Sequence, residues 1–279
     1  VAVVCQLLET GTAAPMVESL LAKAQETKGF AHVNVVPLVD AGVAEGEPYV
    51  VYESGGETLA SILRATGPEG LPLPVALRIS LDMLEGFSAA HGRDPPLGHG
   101  EVGPWCIHVG ADGVSRVCGF GVDQAIWKFG AHYVKNLERL SYAAPERVRA
   151  MSSTIGQELS VADEQSDLFS AAAIVFELVT KQRLFASKME AAVVQKVLTS
   201  AIPTAASVRP EVGAEISNAL KGALARDRGE RMKTFDDLIQ ALEAAVSPDL
   251  IASPDVVAEL VQLAHANAVK LGKEKRSIP

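Results

Sequence analysis

The spacing of apolar residues divides the chain into a mixed strand-and-helix opening and a largely helical remainder. Residues 1–8 form a short, Val-rich apolar run, the pattern of a buried strand. Across residues 14–28, Met16, Val17, Leu20, Leu21 and Ala24 fall on one helical face, and Gly29 supplies the stop. Two apolar runs, 35–39 and 48–52, flank the turn-rich Ala44-Glu45-Gly46-Glu47 and predict a hairpin. Glu53-Ser54-Gly55-Gly56 then reads as a hinge. A long helix is predicted over 74–91, with Leu77, Leu81, Leu84, Ser88 and His91 along one face. Residues 106–109 and 114–118 alternate around Gly110-Ala111-Asp112-Gly113, a second hairpin. Residues 168–179 are apolar almost all round, which predicts a helix buried on every side. Thr234 and Asp237 stand in capping-box spacing ahead of Phe235, Leu238, Ile239 and Leu242. Ser253-Pro254-Asp255 opens a last helix with Val257, Leu260, Val261 and Ala264 on one face.

Composition narrows the classes. With 48% hydrophobic and 21% charged residues, the chain can bury a core, which excludes a disordered polymer. Asp plus Glu number 34 against 25 Lys plus Arg, a net charge of −9 that repels nucleic acid, and no basic cluster offsets it. No nucleic-acid partner is expected. Cys5, Cys106 and Cys118 cannot all pair and lack metal-ligand spacing, so reduced thiols and a cytoplasmic location are expected. The six histidines are scattered, with no pair at metal spacing. No apolar run reaches the roughly 18 residues of a membrane span, so no membrane insertion is expected. Gly-x-Ser-x-Gly, Cys-x-x-Cys and phosphate-binding Gly-Lys-Ser/Thr motifs are missing.

Three motifs stand in order along the second half. The first is Ala144-Pro145-Glu146. The second is Ser166-Asp167-Leu168-Phe169-Ser170 with Phe176-Glu177-Leu178-Val179-Thr180 downstream. The third is Ala223-Leu224-Ala225-Arg226-Asp227 leading to Glu230-Arg231. Together with the element order they resemble the protein kinase fold, specifically bacterial Hanks-type serine/threonine kinases. The resemblance implies an α+β, bilobal fold, with a partial N-lobe over 1–53, a mainly helical C-lobe over 54–247 and a helical extension over 248–279. It also implies structural roles for five residues. Glu146 and Arg231 would form a buried ion pair, Asp167 would anchor the catalytic-loop backbone, and His99 and Phe120 would join the hydrophobic column that couples the lobes.

Where the family carries its chemistry, this sequence departs from it. His99-Gly100-Glu101-Val102-Gly103-Pro104-Trp105-Cys106 aligns with the catalytic loop, placing Gly100 for arginine, Glu101 for aspartate and Cys106 for the metal-binding asparagine. Gly119-Phe120-Gly121 aligns with Asp-Phe-Gly, and Val4 stands at the phosphate-binding lysine. The helix glutamate aligns near Lys23, with Glu18 and Glu26 one turn away. Around the adenine position the resemblance puts Ala2 as roof, His108 as floor and Tyr52 as gatekeeper. The glycine-rich loop and its two strands would precede residue 1. His91-Gly92-Arg93-Asp94 reads as a helix-to-loop turn. Trp105 and Trp127 are either partner-facing aromatics or fillers of vacated space. A thiol is a poor ligand for hard Mg²⁺. These departures predict a catalytically inactive pseudokinase without catalytic, cofactor or metal residues and without ATP/Mg binding. Its expected role is a protein-binding scaffold or allosteric regulator in bacterial signalling. The alternative is an atypical nucleotide-binding sensor or phosphotransferase using Glu101 and a non-standard site.

Overall fold

The two-residue turn Glu45-Gly46, with φ of 54° and 85°, closes the first hairpin in the left-handed conformation that matches strand twist. The computed structural model describes residues 3–7, 14–120, 137–152 and 163–276 of the chain. Strand β1 (Val3–Leu7) is followed by helix α1 (Ala14–Thr27) and by the hairpin strands β2 (Leu38–Ala44) and β3 (Glu47–Glu53). They form an antiparallel sheet in the order β1-β3-β2, with α1 packed on β2. Leu20 and Ala24 of α1 meet Val36, Leu38, Val50 and Tyr52 in a small apolar cluster of their own.

The predicted strand over 35–39 is displaced. Pairing begins only at Leu38, because Val35 bridges to Val117 and the Val36 N–H donates to the Val117 carbonyl. That linker stitches the small lobe to the large one. Gly86 lets the helix below approach, since a Cβ there would lie 2.3 Å from the Asn34 carbonyl oxygen.

The large lobe starts with β4 (Glu57–Thr58), α2 (Leu59–Thr66) and α3 (Leu73–His91). Strands β5 (Ile107–Val109) and β6 (Ser115–Val117) pair with β4 in a second small sheet. The short helices α4 (Leu137–Leu140) and α5 (Pro145–Ser152) precede α6 (Glu164–Thr180). Then come α7 (Glu190–Leu198), α8 (Ala205–Val208), α9 (Gly213–Ala223), α10 (Phe235–Ala245) and α11 (Pro254–Arg276). The all-apolar stretch of α6 is buried from Leu168 through Phe176, and α3, α8 and α9 pack around it. The Thr234 hydroxyl accepts from the Asp237 N–H at 3.1 Å and the Asp237 carboxylate accepts from the Thr234 N–H at 3.0 Å, a complete capping box. Helix α11 lies against α2 and α3, burying Val257, Val261 and Ala264. No helix among the described residues is long and apolar enough to cross a membrane.

One buried cation fixes how these helices meet. The Arg231 guanidinium donates to Glu146 Oε1 at 2.7 Å and Oε2 at 3.0 Å, a bidentate pair. Its remaining N–H groups reach the carbonyls of Ala225, Gln165 and Arg226 at 2.7, 2.8 and 3.3 Å. The planar group lies over the Phe169 ring at 5.0 Å. Replacing Arg231 by Ala would remove the bidentate partner of Glu146, leaving Arg228 at 3.5 Å, and the guanidinium donors to three carbonyls. The expected loss is about 3–5 kcal/mol, read from the urea midpoint, and a loss below about 1 kcal/mol would contradict this account.

Candidate functional site

The site is built on the start of α6. Asp163 caps that helix, accepting from the Ser166 N–H at 2.9 Å while the Asp163 N–H donates to the Ser166 hydroxyl at 3.2 Å. This places Asp167, almost fully buried, one turn inside. Its carboxylate accepts the His99 N–H at 2.7 Å and the Gly100 N–H at 2.9 Å, and His91 Nε2 stands 3.0 Å away. Burial alone would raise this carboxyl. The His91 hydrogen bond and the loop amides outweigh burial and hold it below the usual carboxylate range. Gly100 has φ of 79°, a backbone conformation that suits glycine where the resemblance puts arginine.

His99 is fixed on both nitrogens. Nδ1 accepts the Glu101 N–H at 3.2 Å, so Nε2 carries the proton and donates to the Cys118 carbonyl at 2.9 Å. The ring sits edge-on to Phe120 at 5.1 Å and to Phe87 at 5.7 Å. Phe120 in turn meets Phe30 at 6.5 Å, and the Thr27 hydroxyl at the end of α1 lies 3.2 Å from the Phe120 carbonyl. A continuous set of rings thus joins the small lobe to the loop.

The Glu101 carboxylate is buried and ion-paired with Arg139 of α4. Trp105 Nε1 donates to the Glu101 carbonyl at 3.2 Å, and the Arg139 guanidinium lies 5.0 Å above the Trp105 ring. Trp105 also meets Tyr142 edge-on at 5.7 Å. The Tyr142 hydroxyl donates to Glu177, and burial pushes both the phenol and that carboxyl upward. Arg183 closes the cluster, 3.5 Å from Glu177 and 3.0 Å from Glu138. Trp105 is therefore packed into an ionic and aromatic cluster.

The other aligned positions are spread around this loop. Val4 faces Tyr52 in the β1–β3 register, and Tyr52 belongs to the small-lobe cluster. Lys23 pairs with Glu26 at 2.8 Å on the outer face of α1, and Glu18 is exposed. Cys106 is buried, with its Sγ 3.0 Å from the Gly103 carbonyl. His108 stands 3.4 Å from the Gly56 carbonyl, and burial pushes its imidazole down. A cavity of about 450 Å³ lies against the hinge, lined by Val36, Glu53, Gly55, Asp112 and Arg116, away from Cys106 and Glu101. Ala2, Gly121 and Trp127 lie outside the described residues.

Sequence reasoning missed two of these groups. His91 was expected in a plain helix-to-loop turn, yet it reaches Asp167, which lies 76 residues further along the chain. Only its place on the inner face of α3 hinted at this. Arg139 belongs to no motif, and its partner is found only by folding.

The chain matches the protein tyrosine and serine/threonine kinase family over residues 1–242. It belongs to that family. A relative in Myxococcus xanthus, the tyrosine-protein kinase MasK, is 28% identical over 249 residues, covering 85% of this chain and 37% of MasK. The probable serine/threonine-protein kinase PknB of Lactococcus lactis is 25% identical, over 79% of this chain and 33% of PknB. The serine/threonine-protein kinase PrkC of Bacillus subtilis is also 25% identical, over 81% of this chain and 33% of PrkC. The chain thus spans about a third of the length of these relatives. These findings support the kinase-like fold and a bacterial kinase-family signalling protein. They overturn the expectation of a non-enzyme, because the relatives carry the names of tyrosine and serine/threonine kinases. The error came from weighing single positions such as Val4, Cys106 and Gly119 above the family as a whole.

Two of those positions are the ones that the resemblance aligns with the family's metal ligands. A thiol at Cys106 and no side chain at Gly119 do not fit a magnesium ion. Among the described residues no group of three or more His, Cys, Asp or Glu could hold a metal.

Replacing Asp167 by Asn would remove one acceptor from the loop amides and the charge facing His91. The expected cost is about 1–3 kcal/mol near neutral pH. Because folding lowers the Asp167 pKa, its contribution is full above the unfolded value near 3.8 and is lost as pH falls through the folded value. Urea midpoints of the two proteins should therefore converge in acid. A gap that stays constant down to the acid limit would contradict this.

Proposed function

We propose that the chain is the kinase-like domain of a bacterial signalling protein that transfers a phosphoryl group to a protein hydroxyl, with Glu101 at the position of the base. The single observation that carries this reading is the Asp167 anchor. It holds the His99 and Gly100 amides, directly before Glu101, which the resemblance aligns with the family's catalytic carboxylate. Glutamate keeps the acceptor chemistry of aspartate, and the carboxylate can take the proton of an attacking hydroxyl. The extra methylene changes its reach. Family membership supplies the substrate class, a protein partner. No step is assigned to a magnesium ion, since Cys106 and Gly119 do not offer it ligands.

The test is transfer of label from γ-labelled ATP to the protein itself and to a mixed protein substrate, with either Mg²⁺ or Mn²⁺ added. The unmodified protein should incorporate label, and Glu101→Gln should lower the rate by about 10²-fold or more. Absence of label with both metal ions would overturn the proposal. So would a Gln variant as active as the parent.

A further inference from the structure

The Glu101 carboxylate and the Arg139 guanidinium are buried to very different degrees. Glu101 has 3% of its side chain exposed, whereas Arg139 has 37%. The guanidinium therefore forms the solvent side of the pair and the carboxylate the inner side. Arg139 is held there from three directions. It stacks over Trp105, whose indole N–H is tied to the Glu101 carbonyl. Its neighbours Leu140 and Tyr142 are buried, which pins the short helix α4 to the large lobe. On the same turn Glu138 pairs with Arg183, so α4 makes one ionic contact to the lobe and another to the loop.

An Arg139 N–H is directed at Glu101 Oε2, so the guanidinium matches the charge of the carboxylate and occupies one of its oxygens. In that state the carboxylate accepts a proton from an incoming hydroxyl poorly. We propose that Arg139 is a latch on the base position, so that phosphoryl transfer proceeds only when its guanidinium leaves Glu101. This rests on the assignment of Glu101 under the proposed function. The contact is intramolecular, between a helix just before Ala144-Pro145-Glu146 and the loop held by Asp167, so a shift of α4 withdraws the guanidinium from the carboxylate.

The experiment compares the parent with Arg139→Gln and Arg139→Lys, all checked for an unchanged unfolding temperature. Two readouts are taken. The first is the rate of label transfer from γ-labelled ATP. The second is coupling of an amine to Glu101 by a water-soluble carbodiimide, located by peptide mass spectrometry, with exposed Glu26 and Glu69 as internal controls. Arg139→Gln should raise the transfer rate about tenfold, as expected for removal of roughly 1.4 kcal/mol of ground-state stabilisation. It should also make Glu101 reactive, while the parent leaves it unmodified. Arg139→Lys keeps the charge and should stay close to the parent in both. A slower Gln variant would overturn the latch and make Arg139 a positioning group. Equal labelling of Glu101 in parent and Gln variant would also overturn it, as would a Lys variant that behaves like Gln. If none of the three proteins transfers label, the proposed reaction fails, and the labelling alone decides whether Arg139 shields Glu101.

Discussion

A carboxylate buried at Asp167 sets the shape of everything around the loop. Left alone in an apolar interior, such a group would be protonated or would unfold its surroundings. It remains charged because the loop turns its own amides inward at His99 and Gly100 and α3 presents His91 from the other side. The loop can make that turn only with a positive φ at Gly100. Once the two amides are held, His99 has one orientation available, and its Nε2 reaches the Cys118 carbonyl beside Gly119 and Phe120. The carboxylate thus fixes the loop, the loop fixes the histidine, and the histidine fixes the segment that follows β6. The Glu146–Arg231 pair does the same work for the helices that frame this centre, with every guanidinium N–H matched to an oxygen.

Much of this was legible from the sequence, for physical reasons that differ from element to element. Helix α6 was readable because a run of apolar residues with no charge from Leu168 to Phe176 has no soluble alternative to burial. The capping box at Thr234 and the turn at Glu45-Gly46 are local interactions, encoded within four residues. Strand β2 was displaced by three residues from the apolar run that suggested it. Val35 is buried in the large-lobe core with Val117, while Val36 keeps its side chain in the small-lobe cluster and gives its N–H to the Val117 carbonyl, and periodicity alone does not say which neighbour an apolar residue serves. The site divides along the same line. Glu146, Arg231 and Asp167 sit in motifs whose partners the family resemblance supplies. The roles of His91 and Arg139 depend on chain segments 76 and 38 residues distant, and no local pattern announces either.

The contrast between the framework and the cleft explains why reading position by position led to the wrong class. Val4, Cys106 and Gly119 each remove a group that touches nucleotide or metal in the resemblance. Taken singly, they argue for loss. The framework is kept, with one buried ionic centre holding the loop and another holding the helices that frame it. A buried ion pair or anchored carboxylate is no cheap way to stabilise a fold, since apolar residues of similar volume serve as well or better. What such centres provide is a defined geometry, and here the geometry converges on the backbone of His99 to Glu101. That loop ends in a buried carboxylate ion-paired with the Arg139 guanidinium. The physical question for this protein is therefore what displaces Arg139, and the short helix that carries it, from the carboxylate beneath.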